Sequence, residues 1–474
     1  MAENKATPRE PYFWIFVIAL ALRVVLIFFG HTYRFYDHNH NFSFGWEMGS
    51  IGRSLAAGEG FSSPFGEATG PTAWEPPLYP YLIAGVFKIF GIYSLASAVV
   101  LLGINSVFSA LTCIPIYLIA RRCFGEKVAL WTCWFWALFP SVMAWATRWV
   151  WETSLATFLL TLLFWITLAL EDGEFSFTPS GLASNVPTQG LRPFDKLRAG
   201  SGPHSSAASR LAEPQSGKSS LRRRFLLWLL FGLLWGIAAL VNTSLLAFLP
   251  SSGLWIWVRR RKLGKHSLGG VVLASLVFLA CIAPWMARNY RTFGKLFFIR
   301  SNFGVELRLG NGPGADGTWM QQFHPTQNAH EMSRYRNLGE IAYVDARKQE
   351  ALIFIRESYG RFLVLCGKRF IYYWAGVPRR PQTFGRMLLR NSLYCLSSLL
   401  AFLGLIAAWK NRKEGTWLFF CLLLFYPLVY YVVFPHPRYR HPIEPEMGML
   451  IVYGLIRSET KEKATVASNN SLQF

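Results

Sequence analysis

Acids and arginines gather at a few places in this chain, and those places set the chemistry it can do. Glu47 stands in Gly45-Trp46-Glu47-Met48-Gly49, and Asp37 precedes it in Asp37-His38-Asn39-His40. Glu152 closes the stretch "RWVWE", with Arg148 four residues before it. Arg288 and Asn289 follow the pair Pro284-Trp285, and Arg438, Tyr439 and Arg440 run together in "HPRYRHP". A carboxylate held against an attacking hydroxyl can take its proton. A guanidinium fork grips a phosphate through paired N–H donors. Together these groups suit a substrate with a lipid tail, a phosphate leaving group and a sugar.

Each group also has a plainer reading. Glu152 suits a helix N-terminus, or pairs with Arg148 one turn away. Arg288 and Asn289 fit an aromatic belt with snorkelling cations. Glu47 can be a solvated loop acid. However, Trp46, Met48, Ile51 and Leu55 recur at helical spacing over residues 46–57 and predict a short surface helix beside the membrane. No other acid combines a carboxylate with such a helix. Partial desolvation there predicts a pKa raised toward working pH, which suits a base. Asp37 competes for that role. The Asp37–His40 stretch has oxygen and imidazole ligand types, but a flexible polar loop is the better reading. No cofactor is required, and a divalent metal ion is compatible with the sequence. Gly310-Asn311-Gly312-Pro313-Gly314 reads as a tight turn rather than a phosphate cradle, lacking a strand–loop–helix setting.

These groups need a scaffold, and the scaffold is apolar. Of 474 residues, 52% are hydrophobic and 16% charged, against about 25% charged in a soluble protein. The apolar residues come in long blocks, which excludes an ordinary soluble enzyme. The net charge of +22 does not signal nucleic acid, because the cations flank the blocks as they do in membrane proteins. Seven cysteines with no CxxC motif read as small buried hydrophobes.

A bilayer core needs about 20 apolar residues per helix. Ten segments are predicted spans: 12–30, 94–119, 128–146, 153–170, 225–241, 244–258, 268–287, 391–409, 416–434 and 443–456. The first is read as a retained span, and 78–93 as an interfacial helix. Short loops on one side carry Arg121, Arg122, Lys127, Arg259, Arg260, Arg261, Lys262, Lys265, Lys410, Arg412 and Lys413. The other side carries Arg148, Arg438 and Arg440. Eleven against three puts the first set and both termini in the cytoplasm, with the active site outside. The expected organisation is an N-terminal membrane module with the first outer loop (1–171), a disordered cytoplasmic insert (172–224), further spans (225–287), an extracytoplasmic segment (288–390), and C-terminal spans with a tail (391–474).

At the residues that carry the chemistry, the sequence resembles the polytopic glycosyltransferases of the dolichyl-phosphate-mannose protein mannosyltransferase type, glycosyltransferase family 39, which includes the aminoarabinose transferases of lipid A. The matching stretches, in order, are "SIGRSLAAGEGFSSPF…PPLYPYLIAGVFKIFG", "WETSLATFLLTLLF", "GIAALVNTSLLAFLP", "PWMARNYRTFGKLFFIRSNFGVELRLGNGPGADG" and "RYRHPIEPEMGML". The resemblance implies an all-α membrane protein of the GT-C fold, with amphipathic helices and an outer loop domain. It implies a polyprenyl-phosphate-linked sugar donor, a lipid or protein acceptor, and transfer with inversion by a first-loop carboxylate. By that pattern the base falls on Glu47. Glu152, Arg288, Asn289 and the Arg438-Tyr439-Arg440 run match further family positions and would bind substrate, with Arg148 beside Glu152. Two departures stand out. The family's early Asp-Glu pair is represented here by Glu47 alone, and its lysine before the proline pair is replaced by Glu75. Donor phosphate must then be held elsewhere, by Arg288 or the last outer turn. The alternatives are a polysaccharide ligase or a flippase or transporter. A transporter would call for charges at mid-membrane depth, and only Arg23 stands out in the spans.

Overall fold

In the computed structural model the described residues are 11–35, 42–172, 214–378 and 384–471. Asp37 with His38–His40, and most of the predicted insert 172–224, lie outside them. The described chain is helical, without a β-sheet. The N-terminal part runs α1 (Pro11–Phe29), α2 (Glu47–Ala56), α3 (Leu78–Phe90), α4 (Leu95–Leu111), α5 (Cys113–Phe124), α6 (Glu126–Leu138), α7 (Pro140–Thr147) and α8 (Thr153–Asp172). Next come α9 (Pro214–Val241), α10 (Leu249–Lys262) and α11 (Leu268–Phe293). The outer segment holds α12 (Phe303–Gly310), α13 (Ala329–Leu338), α14 (Glu340–Glu357) and α15 (Tyr359–Ala375). The chain closes with α16 (Phe384–Lys410), α17 (Thr416–Phe425), α18 (Leu428–Val432), α19 (Pro437–Arg440) and α20 (Glu444–Ser471).

Among the described residues, six helices are long and apolar enough to span a membrane: Pro11–Phe29, Leu95–Phe124, Thr153–Glu171, Arg224–Val241, Leu268–Phe293 and Met387–Lys410. The α6–α7 pair, bent by 51°, is a seventh if counted as one span. The count of ten is therefore not reached by length and composition. Segments 244–258, 416–434 and 443–456 are helical but are not among the six. The chain breaks between the predicted spans 225–241 and 244–258, and also inside 416–434, where composition alone looks continuous. Asn242 accepts a hydrogen bond from the Ser244 N–H and starts a 3-10 turn over Thr243–Phe248. Pro427 separates α17 from α18. These breaks leave irregular backbone where a cavity opens, the setting in which a membrane protein tolerates it.

The spans are apolar outward as well as inward. On α11, Val272, Leu276 and Leu279 are exposed, which in a water-soluble fold would be a defect and here is a lipid-facing surface. Arg23, the one charge noted within a span, is buried and donates to Ser109 Oγ (3.1 Å), Ala19 O (2.9 Å) and Ala137 O (3.3 Å). Its partners are the bundle itself, so it reads as a structural tie. All seven cysteines are free, three of them buried.

Candidate active site

The first outer loop makes its turn on two left-handed residues. Gly45 has φ +89°, and a Cβ there would come within 2.3 Å of Val150 O, so glycine is required. Trp46 has φ 47°, a conformation that costs a non-glycine residue about 1–3 kcal/mol. The turn is tied down by Val150 N–H donating to Ser43 O (2.8 Å). Glu47 emerges as the first residue of α2, where the helix N-terminus favours a negative charge. The predicted helix over 46–57 is thus present, but it is packed rather than surface-bound. Met48, Ser50 and Ile51 are buried, and Gly52 lies so close to Ile83 of α3 that a Cβ would meet it at 2.6 Å.

Two cavities meet at Glu47. The first, about 180 Å³, is bordered by Glu47, Glu75, Glu152, Arg300, Glu306 and Arg438. The second, about 590 Å³, is bordered by Trp46, Trp319, Asp316, His324 and His436. Glu47, Trp151, Glu306, Arg438 and Tyr439 border both. Arg438 lies 4.4 Å from the centre of the Trp151 ring, and the Tyr439 ring stacks on Tyr430 at 4.5 Å. Four carboxylates therefore face two guanidinium groups.

Glu47 Oε1 lies 3.3 Å from His324 Nε2. On the far side of that ring, Nδ1 lies 2.7 Å from the Thr326 hydroxyl and 3.3 Å from the Thr326 backbone N, which holds the ring with Nε2 toward Glu47. Burial pushes the Glu47 carboxyl up. The His324 hydrogen bond and charge, the local backbone and Arg438 together outweigh it and hold the group below the usual carboxylate range. The expected rise is thus reversed: desolvation is present, but a partner invisible in the first loop overrides it.

The neighbouring acids go the other way. Burial, with Glu47 and Glu152 nearby, pushes Glu75 up to about 8 in spite of Arg300. Burial also raises Glu306, against Arg300, His324 and Arg438. Arg300 Nη2 lies 3.2 Å from Glu75 Oε1, and Arg300 Nε donates to Trp74 O (3.2 Å). Glu152 accepts from Asn242 Nδ2 (3.2 Å), while its other oxygen is buried without a partner.

Of the residues expected from sequence, Glu47, Glu152, Arg438 and Tyr439 come together here. Asp37 lies outside the described residues. Arg148 is exposed and borders neither cavity, and Asn242 rather than Arg148 meets Glu152. Arg288 donates to Thr72 O (2.7 Å) and Phe61 O (3.0 Å), and its guanidinium lies 4.9 Å from the Trp285 ring centre. Asn289 donates to Ile299 O (3.2 Å). These two residues tie loops together outside the cavities, because the first outer loop folds back over the end of α11. Arg440 is buried between α16 and α20, donating to Tyr394 O (3.1 Å), Ser398 Oγ (2.9 Å) and Glu444 (3.3 Å).

Arg300, Glu306 and His324 belong to the site without having been singled out. Arg300 and Glu306 lie inside the quoted stretch "FFIRSNFGVELR", where their alternation with apolar residues was the available signal. His324 had none, since nothing local links it to Glu47. The outer segment is brought over the first loop by Glu340, which accepts from the Thr72 hydroxyl, Ala73 N (2.7 Å), Ser301 Oγ (2.7 Å) and Tyr335 Oη (2.9 Å). No three of His, Cys, Asp and Glu converge at metal-binding distance among the described residues.

The profile of the dolichyl-phosphate-mannose-protein mannosyltransferase family matches residues 74–184. No curated protein matches the chain. Among solved structures, the chain is similar to the oligosaccharyltransferase of Archaeoglobus fulgidus. In its apo form the likeness has 12% identity and a TM-score of 0.50, over 98% of this chain and 52% of that one. In the form tethered with an acceptor peptide it has 13% identity and a TM-score of 0.52, over 98% and 51%. The chain thus spans about half the length of that enzyme. ArnT from Cupriavidus metallidurans bound to undecaprenyl phosphate gives 12% identity and a TM-score of 0.36, over 94% and 78%, too loose a superposition to reason from. At these identities the likeness speaks to the fold. The chain shares the polytopic, all-helical fold of that oligosaccharyltransferase, the fold class the motifs implied.

Proposed function

We propose that the paired cavities transfer a sugar from a polyprenyl-phosphate-linked donor to an acceptor hydroxyl, with inversion at the anomeric carbon. The observation that carries this reading is the position of Glu47 at the junction of the two cavities, ionised and held by His324. One cavity receives the donor, with Arg300 and Arg438 facing its phosphate. The other, walled by Trp46, Trp151 and Trp319, receives the acceptor, a lipid or a protein; nucleic acid has no place in it. The acceptor oxygen loses its proton to Glu47 as it attacks the anomeric carbon from the face opposite the phosphate. The sugar–phosphate bond breaks, and the leaving phosphate keeps the bonding electrons under the two guanidinium groups. The chain sits in the cell (inner) membrane, with the cavities extracytoplasmic and both termini cytoplasmic, as the distribution of loop cations indicates. A lipid-linked donor fits that side, where soluble nucleotide sugars are not supplied.

The test is to supply the reconstituted protein with an undecaprenyl-phosphate sugar of known anomeric configuration and determine the linkage in the product by NMR. An inverted linkage, with no transfer from nucleotide sugars, supports the reading. A retained configuration sinks the single-displacement mechanism. Mass spectrometry of surface glycoconjugates from cells with and without the protein would then identify the acceptor.

A further inference from the structure

At the far end of α8 the bundle holds a third cavity, of about 870 Å³. Glu152 precedes the first residue of α8, and Glu171 stands at its other end. Twenty helical residues put the two ends about 30 Å apart, one hydrocarbon thickness. Glu171 is gripped by Arg259 and lies 3.7 Å from Arg122, which in turn pairs with Glu414 at 2.6 Å. Arg259 and Glu414 both border the cavity, which lies between α10 and α17.

Its walls have two characters. The apolar part includes Leu254, Phe425 and three tryptophans, Trp255, Trp409 and Trp417. Leu254 and Trp417 are 58% and 54% exposed, so this wall opens sideways toward lipid. The rim carries Arg259, Lys262, Arg412 and Lys413 against a single acid, Glu414. The pairing above absorbs Arg259 and Glu414, and Lys413 lies 5.8 Å from the Tyr453 ring centre. Lys262 and Arg412 are exposed, and among the described residues neither is in an ion pair. The buried indole N–H of Trp255 has no acceptor in the protein.

We infer that this cavity binds the headgroup of an acidic phospholipid, with its acyl chains along the tryptophan-lined wall. Uncompensated cations beside an apolar, laterally open wall match a phosphate joined to hydrocarbon, and the tryptophans sit where rings anchor at a headgroup boundary. A free phosphate would leave the apolar wall unused. A zwitterionic lipid would leave Lys262 and Arg412 without a net charge to meet. The inference does not depend on the transfer reaction, because the cavity lies a membrane thickness from Glu47.

The full-length protein is reconstituted in nanodiscs with equal amounts of phosphatidylcholine and phosphatidylglycerol, released gently, and its retained lipids are counted by native mass spectrometry. Wild type is expected to retain phosphatidylglycerol in preference. K262Q/R412Q is expected to hold it about tenfold more weakly, with phosphatidylcholine retention and transfer activity unchanged. Equal retention of the two lipids by wild type overturns the inference even if the double variant does not fold. So does undiminished phosphatidylglycerol in the folded double variant, or displacement of the lipid by inorganic phosphate alone.

Discussion

The two ends of α8 carry the same residue type in opposite settings. Glu171 is held by Arg259 and lies 3.7 Å from Arg122, although its Oε2, like that of Glu152, has no hydrogen-bond partner. Glu152 receives one amide hydrogen bond and turns its other oxygen into a cavity. Around Glu171 the cations outnumber the acids. Around Glu152 four glutamates face two arginines. An acid flanked by two guanidinium groups holds structure together. An acid that meets only an amide at a cavity wall is available to a substrate. Charge surplus at one end suits a phospholipid phosphate, and acid surplus at the other suits hydroxyl groups and a proton acceptor.

Exchanging acids at the two ends gives the largest expected contrast. E47Q should lower transfer about 10²–10⁴-fold, the range for a lost general base, and leave the melting temperature close to wild type. E171Q should do the reverse: about 1–3 kcal/mol of stability lost, discounted because Arg259 is 38% exposed, with transfer per folded molecule retained. Equal loss of activity in both would erase the distinction. Next in size is R438Q, which removes a charged donor common to both cavities. At about 1.5–3 kcal/mol per charged hydrogen bond, donor affinity should fall about 10- to 150-fold by equilibrium binding. R148Q, by contrast, should bind donor as wild type does.

The smallest effects concern pH. With His324 removed, burial is left to dominate at Glu47 and its carboxyl rises. The acid limb of the kcat/KM profile should therefore move to higher pH in H324A. A limb that stays in place would show that His324 does not set the ionisation of Glu47. Glu75, at about 8, is neutral at neutral pH and becomes anionic as pH rises through that value. Donor binding should weaken over that window in wild type and not in E75Q, because only an ionised Glu75 repels the phosphate.

The sequence made the membrane architecture legible because apolar blocks and flanking cations are local signals that add up along the chain. Glu47, Glu152, Arg438 and Tyr439 were legible for a related reason: each borders an apolar block at the same membrane face. Arg288 misled because a cation at headgroup depth looks the same whether it meets a ligand or two carbonyl groups, and only the fold of the first outer loop decides. His324 was out of reach. Glu340 anchors the outer segment to Thr72 and Ala73, and that long-range closure, absent from any local pattern, brings the imidazole to the carboxylate. The count of ten spans counts several short segments, and Pro427 breaks one of them, 416–434, whose composition alone looks continuous.

The most direct test of Glu47 as the proton acceptor is to measure donor binding and single-turnover transfer together on E47Q in reconstituted membranes. The expected result is a donor Kd within about twofold of wild type with transfer reduced at least about a hundredfold. Transfer at the wild-type rate by a variant that binds donor normally would contradict the assignment and pass the role to another acid, with Asp37 first in line.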